Sequence, residues 1–168
     1  MPEKDSINVG DTLTLYSKFI PTDINTGNEV PLSNGILIGS PLSVGSLKGG
    51  GIIDAAVDSF LFLPIIGLAN MDINNTISKK VKQLFYGFKD GNYLLEIKII
   101  ALKKGIYTLG FLDAIFKKEN TNGCNDGGFV ALKNNNLNNN LIYYQTLYYQ
   151  GLPVPLNDSI HGYSFKVK

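Results

Sequence analysis

Hydrophobic and polar residues alternate between residues 85 and 112 with the two-residue period of a β-strand that is buried on one face. The pattern predicts three short strands at residues 85–88, 93–102 and 106–112, joined by tight turns at residues 90–92 and 103–105. The face predicted to be buried carries Tyr93, Leu95, Ile97, Ile99 and Ala101, while Glu96 and Lys98 interrupt the opposite face. The sequence therefore predicts a meander of β-hairpins in this region.

Similar patterns predict further strands at residues 12–20, 57–63, 81–88, 129–132 and 162–168. Prolines 31 and 41, together with three glycines, predict that residues 30–46 form only sheet edge or loop. Residues 45–51 are rich in glycine and are predicted to form a flexible loop rather than a phosphate-binding loop. Residues 117–128 are also predicted to form a loop. Leucine and tyrosine recur at helical spacing in residues 141–150, which favours a short helix, although the tyrosine density would also suit a strand.

About seven or eight short strands, spaced roughly ten residues apart, are typical of an all-β sandwich. We therefore expect an immunoglobulin-like or jelly-roll-like β-sandwich with at most one or two short helices. A chain of 168 residues fits one domain spanning residues 1–168.

The composition narrows the classes of function. The chain is 44% hydrophobic and 17% charged, which is typical of a folded protein, and its 15 basic residues, all of them lysine, nearly balance its 14 acidic ones. Without arginine and without a basic excess, we expect no nucleic-acid partner. The most apolar stretch, residues 52–71, contains Asp54, Asp58 and Pro64, so we expect it to lie in the core and not to span a membrane.

Four clustered tyrosines are the strongest candidates for ligand binding. Tyrosine gives rigid, amphipathic contact area that suits a protein or carbohydrate surface. The candidate residues are Tyr143, Tyr144, Tyr148 and Tyr149.

A second candidate is a cation site, because Asp23, Asn25 and Glu29 place oxygen ligands at alternate positions, as Ca²⁺ requires. The segment departs from the EF-hand pattern and also fits an ordinary turn, so we expect no cofactor and keep calcium as the alternative. The single Cys124 and the single His161 cannot supply a His/Cys metal cluster.

A third candidate is a pair or trio of carboxylates. Asp54 and Asp58 fall on the same side in either a helix or a strand, and Glu96 is a further acid for acid–base hydrolysis. We expect the chain not to be an enzyme, and a carboxylate-dependent hydrolase is the alternative that these residues leave open.

Three segments, at residues 9–15, 104–109 and 162–167, resemble uncharacterised secreted or lipid-anchored β-sandwich proteins of Gram-negative bacteria. The resemblance implies a leader ahead of Met1, an extracytoplasmic location in the periplasm or at the outer cell surface, and no assigned catalytic residues. It favours a non-catalytic cell-envelope or surface-exposed module that binds a protein or glycan through its loops. The alternative within this class is a structural subunit of a surface appendage.

Overall fold

A computed structural model of the chain describes residues 6–20, 28–29, 38–70, 81–111, 114–119, 125–130, 141–150, 152 and 162–168. Strands account for 70% of these residues, and a single α-helix accompanies them in the part described. This confirms the prediction of a mainly-β chain. The strands are β1 (Ser6–Ile7), β2 (Thr12–Phe19), β3 (Ile38–Gly49), β4 (Ile52–Ala55), β5 (Phe60–Ile66), β6 (Leu68–Asn70), β7 (Val81–Phe85), β8 (Gly87–Lys89), β9 (Asn92–Ala101), β10 (Gly105–Phe111), β11 (Ala114–Glu119), β12 (Asn125–Val130) and β13 (Gly162–Val167), and the helix is α1 (Leu141–Leu147).

The described strands form two sheets. The larger, nine-stranded sheet follows the order β1-β13-β10-β3-β11-β12, with β4 and β7 also paired to β3 and β6 paired to β7. The smaller, four-stranded sheet follows the order β2-β9-β5, with β8 also paired to β9. The strands β3 and β9 are thus the centres of their sheets.

Both sheets contribute to one hydrophobic core. Along β9 every second residue from Tyr93 to Ala101 is buried, which confirms the predicted alternation. Leu13 and Leu15 of β2 lie in the same core as Leu42 and Val44 of β3. Because both sheets pack on one contiguous core, each sheet has one face turned toward the core and one face turned away from it.

The strand β3 contradicts the prediction of edge or loop over residues 38–46, and residues 30–37 lie outside the described ranges. It is a twelve-residue central strand, and it contains Pro41. The proline is tolerated because it lies where β3 changes neighbours: Gly39 pairs with β11, whereas Leu42 is the first residue to pair with β10. Gly45, predicted to begin a flexible loop, lies within this strand, and a Cβ there would collide with Ile53 of β4. Local propensity was overridden by the need to pack strands on both sides of β3.

The predicted meander holds for its first turn only. The strands β8 and β9 form a hairpin closed by Asp90 and Gly91, whose φ angles of 50° and 76° suit a two-residue turn. At the second turn the chain leaves the smaller sheet, because β10 pairs with β3 and β13 and not with β9. The Tyr107 hydroxyl holds this turn, because its single O–H is shared between the carbonyl oxygens of Lys103 and Lys104, at 3.1 and 3.3 Å.

Two neighbouring corners carry the chain between the sheets. At Gly67 the chain passes from β5 in the smaller sheet to β6 in the larger one, and at Tyr86 it passes back from β7 to β8. The residues predicted as one strand at 81–88 are therefore two strands, and the N–H of Tyr86 between them donates to the carbonyl of Ile38 at 3.0 Å.

Three other predicted boundaries also change. Residues 57–63 begin as a 3₁₀ turn over Val57–Ser59 before β5 starts at Phe60. The loop predicted at residues 117–128 is wrong where β11 and β12 pair, with Lys117 opposite Gly127. The strand predicted at residues 129–132 starts earlier, as β12, and residues 131–132 lie outside the described ranges.

Candidate functional site

The predicted short helix is confirmed as α1, and it brings together part of the predicted tyrosine cluster. Tyr148 and Tyr149 follow the helix directly, and their rings contact each other edge to face, with centroids 5.0 Å apart and planes at 90°. Tyr143, Tyr148 and Tyr149 are each half-buried, so each residue is partly exposed to solvent. The Tyr144 side chain lies outside what is described. Tyr148 and Tyr149 thus form a pair of aromatic side chains in contact, which we call the tyrosine pair.

The tyrosine pair sits on the glycine turn that joins β3 to β4. Gly49, Gly50 and Gly51 all have positive φ, and the N–H of Gly51 donates to the carbonyl of Leu147 at 3.2 Å. Beyond the pair, the N–H of Leu152 donates to the carbonyl of Tyr149 at 2.9 Å. The bond between Gly51 and Leu147 therefore links the segment that carries the tyrosine pair to the larger sheet, while the bond between Leu152 and Tyr149 closes a local turn.

The glycine turn meets the C-terminal end of α1. A helix C-terminus carries partial negative charge, and here one of its carbonyls occupies the Gly51 N–H. The Gly51 N–H is therefore not available to an anion, and the neighbouring helix C-terminus is an unfavourable surrounding for one.

The predicted carboxylates are distributed over different elements. Asp54 lies on β4 of the larger sheet and forms a salt bridge with Lys48 at 2.6 Å, whereas Glu96 lies on β9 of the smaller sheet. The hydrogen bond and the charge of Asp54 raise the pKa of Lys48. Asp58 is exposed on the 3₁₀ turn. Both partners of the salt bridge are largely exposed, so solvent screens the pair and it is a weak source of stability.

Of the predicted calcium ligands, only Glu29 falls within the described residues, where it is exposed. Asp23, Asn25, Cys124 and His161 lie outside them. Within the described ranges, no three side chains of the His, Cys, Asp or Glu type come together as a metal site would require. No helix in the same ranges has the length and apolar character to cross a membrane.

Sequence reasoning missed one unusual side chain, Lys82. It lies on β7 opposite the core residue Leu42, it is 8% exposed, and its Nζ lies 5.4 Å from the centre of the Phe62 ring. Burial lowers the pKa of the Lys82 ammonium. The signal was available, because Lys82 shares the face of Leu84 in the alternating pattern of this strand.

We expect the Lys82→Met variant to be more stable than the wild type at pH 7. The charged amine is disfavoured in the folded protein, so its penalty is full at neutral pH and is relieved as pH rises from the lowered pKa to the ordinary value of about 10.4. The difference in the free energy of unfolding between variant and wild type should therefore shrink as pH rises through that window. Urea unfolding between neutral and alkaline pH measures it.

The variant and the wild type must be compared at the same pH, because both proteins lose stability at alkaline pH for another reason. Burial raises the pKa of Tyr86 and of Tyr93, so ionisation of these tyrosines favours the unfolded state. Lys89→Met removes an exposed lysine and is the matched control, expected to stay close to the wild type at pH 7. A Lys82→Met protein less stable than the wild type at pH 7 would contradict the expectation.

Comparison with known proteins found no match to any family model, curated protein or solved structure.

Proposed function

We propose that the chain is a non-catalytic, surface-exposed β-sandwich module that binds a protein or a glycan, with the tyrosine pair at the centre of the binding site. The two sheets around one core support a sandwich of the immunoglobulin-like or jelly-roll-like kind. The observation that carries the binding proposal is the edge-to-face contact between Tyr148 and Tyr149 on a segment bonded to the larger sheet.

Such an arrangement suits binding for two physical reasons. A tyrosine ring offers an apolar face and a polar hydroxyl, which together match the apolar and hydroxyl-bearing faces of a sugar ring or a peptide surface. Rings held in place by their backbone lose little conformational entropy when a ligand binds, so more of the contact energy appears as affinity.

The test is a glycan array and a panel of surface proteins, probed with the wild type and with a Tyr148→Ala/Tyr149→Ala variant. For any ligand that binds, we expect the double variant to weaken affinity by about tenfold or more, because both rings are removed. The matched control is Tyr148→Phe/Tyr149→Phe, which keeps both rings and should retain most of the affinity. Equal binding by the wild type and the alanine variant would overturn the proposed site.

An extracytoplasmic location, in the periplasm or at the outer surface, belongs to the same proposal and is supported by the resemblance of three strand segments to secreted and lipid-anchored proteins. Fractionation of the source cells tests it directly. Recovery of the native protein in the cytoplasmic fraction would contradict this part.

One observation favours a structural subunit of a surface appendage as the second candidate. The two-residue strand β1 pairs in parallel with β13, with Ser6 opposite Lys166, at one end of the larger sheet. A short strand at the end of a sheet can be exchanged between copies. This function predicts an open-ended ladder of oligomers that a Ser6→Cys/Lys166→Cys disulfide within one chain would block.

A further inference from the structure

The outward face of the smaller sheet is unusual in its composition. Antiparallel sheets commonly place polar residues on a face turned to solvent. On β5, however, the outward residues Leu61 and Leu63 are 44% and 39% exposed, and the adjoining Ile65 is 54% exposed. An apolar band of this kind on an exposed sheet marks an interaction surface.

The register of the strands places this band beside two charges. Leu63 lies opposite Lys98 of β9, and Ile66 lies opposite Glu96 after a bulge in β5. On the other side of β9, Lys98 lies opposite Thr14 and Glu96 opposite Tyr16 of β2. The outward face therefore has an apolar side on β5, a polar side on β2, and one negative and one positive side chain along its centre.

We propose that the partner of this face is a second copy of the chain, packed face to face about a two-fold axis. The axis runs across the strands at the level of Ile97, so that β9 of one copy lies antiparallel to β9 of the other. Glu96 of each copy then faces Lys98 of its partner, because the two residues lie at equal distances on either side of Ile97. Their spacing of about 7 Å along the strand permits both contacts at once.

The same axis places each strand of the face over the same strand of the partner copy. A rotation about a line across the strands places β5 over the partner's β5 and β2 over the partner's β2. Leu63 then packs near the partner's Ile66, which removes apolar surface from water on both copies. Lys18, opposite Leu94 in its own sheet, faces the partner's Thr12 and not a second lysine.

Charge complementarity favours a second copy over an unrelated partner. Among the described residues, the salt bridge present is that of Lys48 with Asp54, so neither Glu96 nor Lys98 is neutralised by such a bridge in this part of the chain. Because the central strand β9 carries one outward charge of each sign, at equal distances from the axis, the centre of this face is complementary to itself. This inference does not depend on the proposed ligand site, because the tyrosine pair lies against the larger sheet.

The experiment is analytical ultracentrifugation from about 1 to 500 μM, the range in which a modest interface of this kind is expected to associate. The wild type should show a monomer–dimer equilibrium without larger species. Glu96→Lys and Lys98→Glu should each raise the apparent dissociation constant by about tenfold or more, because each variant places like charges together. Leu63→Glu should abolish the dimer, while Ile52→Glu, a charge placed at an exposed apolar residue of the larger sheet, should leave it unchanged.

Charge reversal makes the test specific to the proposed axis. The double variant Glu96→Lys/Lys98→Glu should recover the wild-type dissociation constant, and an equimolar mixture of the two single variants should form a heterodimer. Near-ultraviolet circular dichroism verifies that each variant is folded. A wild type that stays monomeric over the whole range, an open-ended series of oligomers, or a double variant that fails to recover the dimer would each overturn the inference.

Discussion

Phe165→Ala is expected to lower the free energy of unfolding by about 4 kcal/mol, the range observed when a fully buried aromatic ring is removed. Phe165 is 0% exposed, and its ring lies between those of Phe60, Tyr107 and Tyr163, with centroids 5.9, 6.2 and 5.4 Å away. These rings come from β5, β10 and β13, so the cavity would open between the two sheets. The neighbouring strands are held by hydrogen bonds and cannot close it.

Urea unfolding followed by circular dichroism measures this loss. Since a domain of this size has about 5 to 15 kcal/mol of total stability, the alanine variant is expected to be close to unfolding, and Phe165→Leu, with an expected loss of about 1 kcal/mol, keeps the series measurable. Phe88→Ala removes a ring that is 40% exposed and is the control for ring loss at the periphery. If Phe165→Ala destabilised the protein no more than Phe88→Ala, the ring would not be the centre of the core.

The strands that the sequence predicts well are those with one buried face. Residues 12–20 and 162–168 were predicted within one or two residues of β2 and β13, because burial of one face imposes a two-residue period on the sequence itself. The short helix α1 was predicted on the spacing of leucine and tyrosine, against the strand propensity of its tyrosines. The local pattern of apolar residues is sufficient to predict an element that buries one face in the core.

Sheet membership could not be predicted in the same way. The strands β9 and β10 are adjacent in sequence and both alternate, yet β9 belongs to the smaller sheet and β10 to the larger. Which sheet a strand joins depends on partners far away in sequence, here Leu42 to Ser46 and Gly162 to Val167 for β10. The strand β3 could not be predicted for the same reason. Pro41 disfavours a central strand, and it is tolerated here only because it lies between the part of β3 that pairs with β11 and the part that pairs with β10.

The candidate site was predictable only in part. Clustered tyrosines were visible in the sequence, but their support by the glycine turn requires the contact of Gly51 with Leu147, about a hundred residues apart. The outward face of the smaller sheet combines residues of β2, β5 and β9 in a register that only the paired strands define. Contacts between distant segments thus account for what the sequence pattern missed.

Gly67→Ala is expected to lower the free energy of unfolding by about 3 kcal/mol, through steric strain at the corner between the sheets. Gly67 has a φ of 86°, and a Cβ there would collide with the carbonyl oxygen of Phe85 and lie 3.0 Å from Cδ1 of Leu95. Backbone cannot move aside as a flexible side chain can. Relief of the clash requires separating Leu68 from Phe85, the pair with which β6 joins β7.

Gly10→Ala separates this clash from the cost of the backbone angle alone. Gly10 has a φ of 90°, almost the same as Gly67, but a Cβ there would meet nothing within 4 Å. Its replacement should therefore cost only the conformational penalty of about 1 kcal/mol, and the excess loss in Gly67→Ala measures the collision. Hydrogen exchange should show the added opening at the amides of β6 and β7, because the displaced carbonyl of Phe85 lies at their junction. Equal losses in the two variants would mean that the corner at Gly67 can widen freely, and that the two sheets are not held together there by close backbone contact.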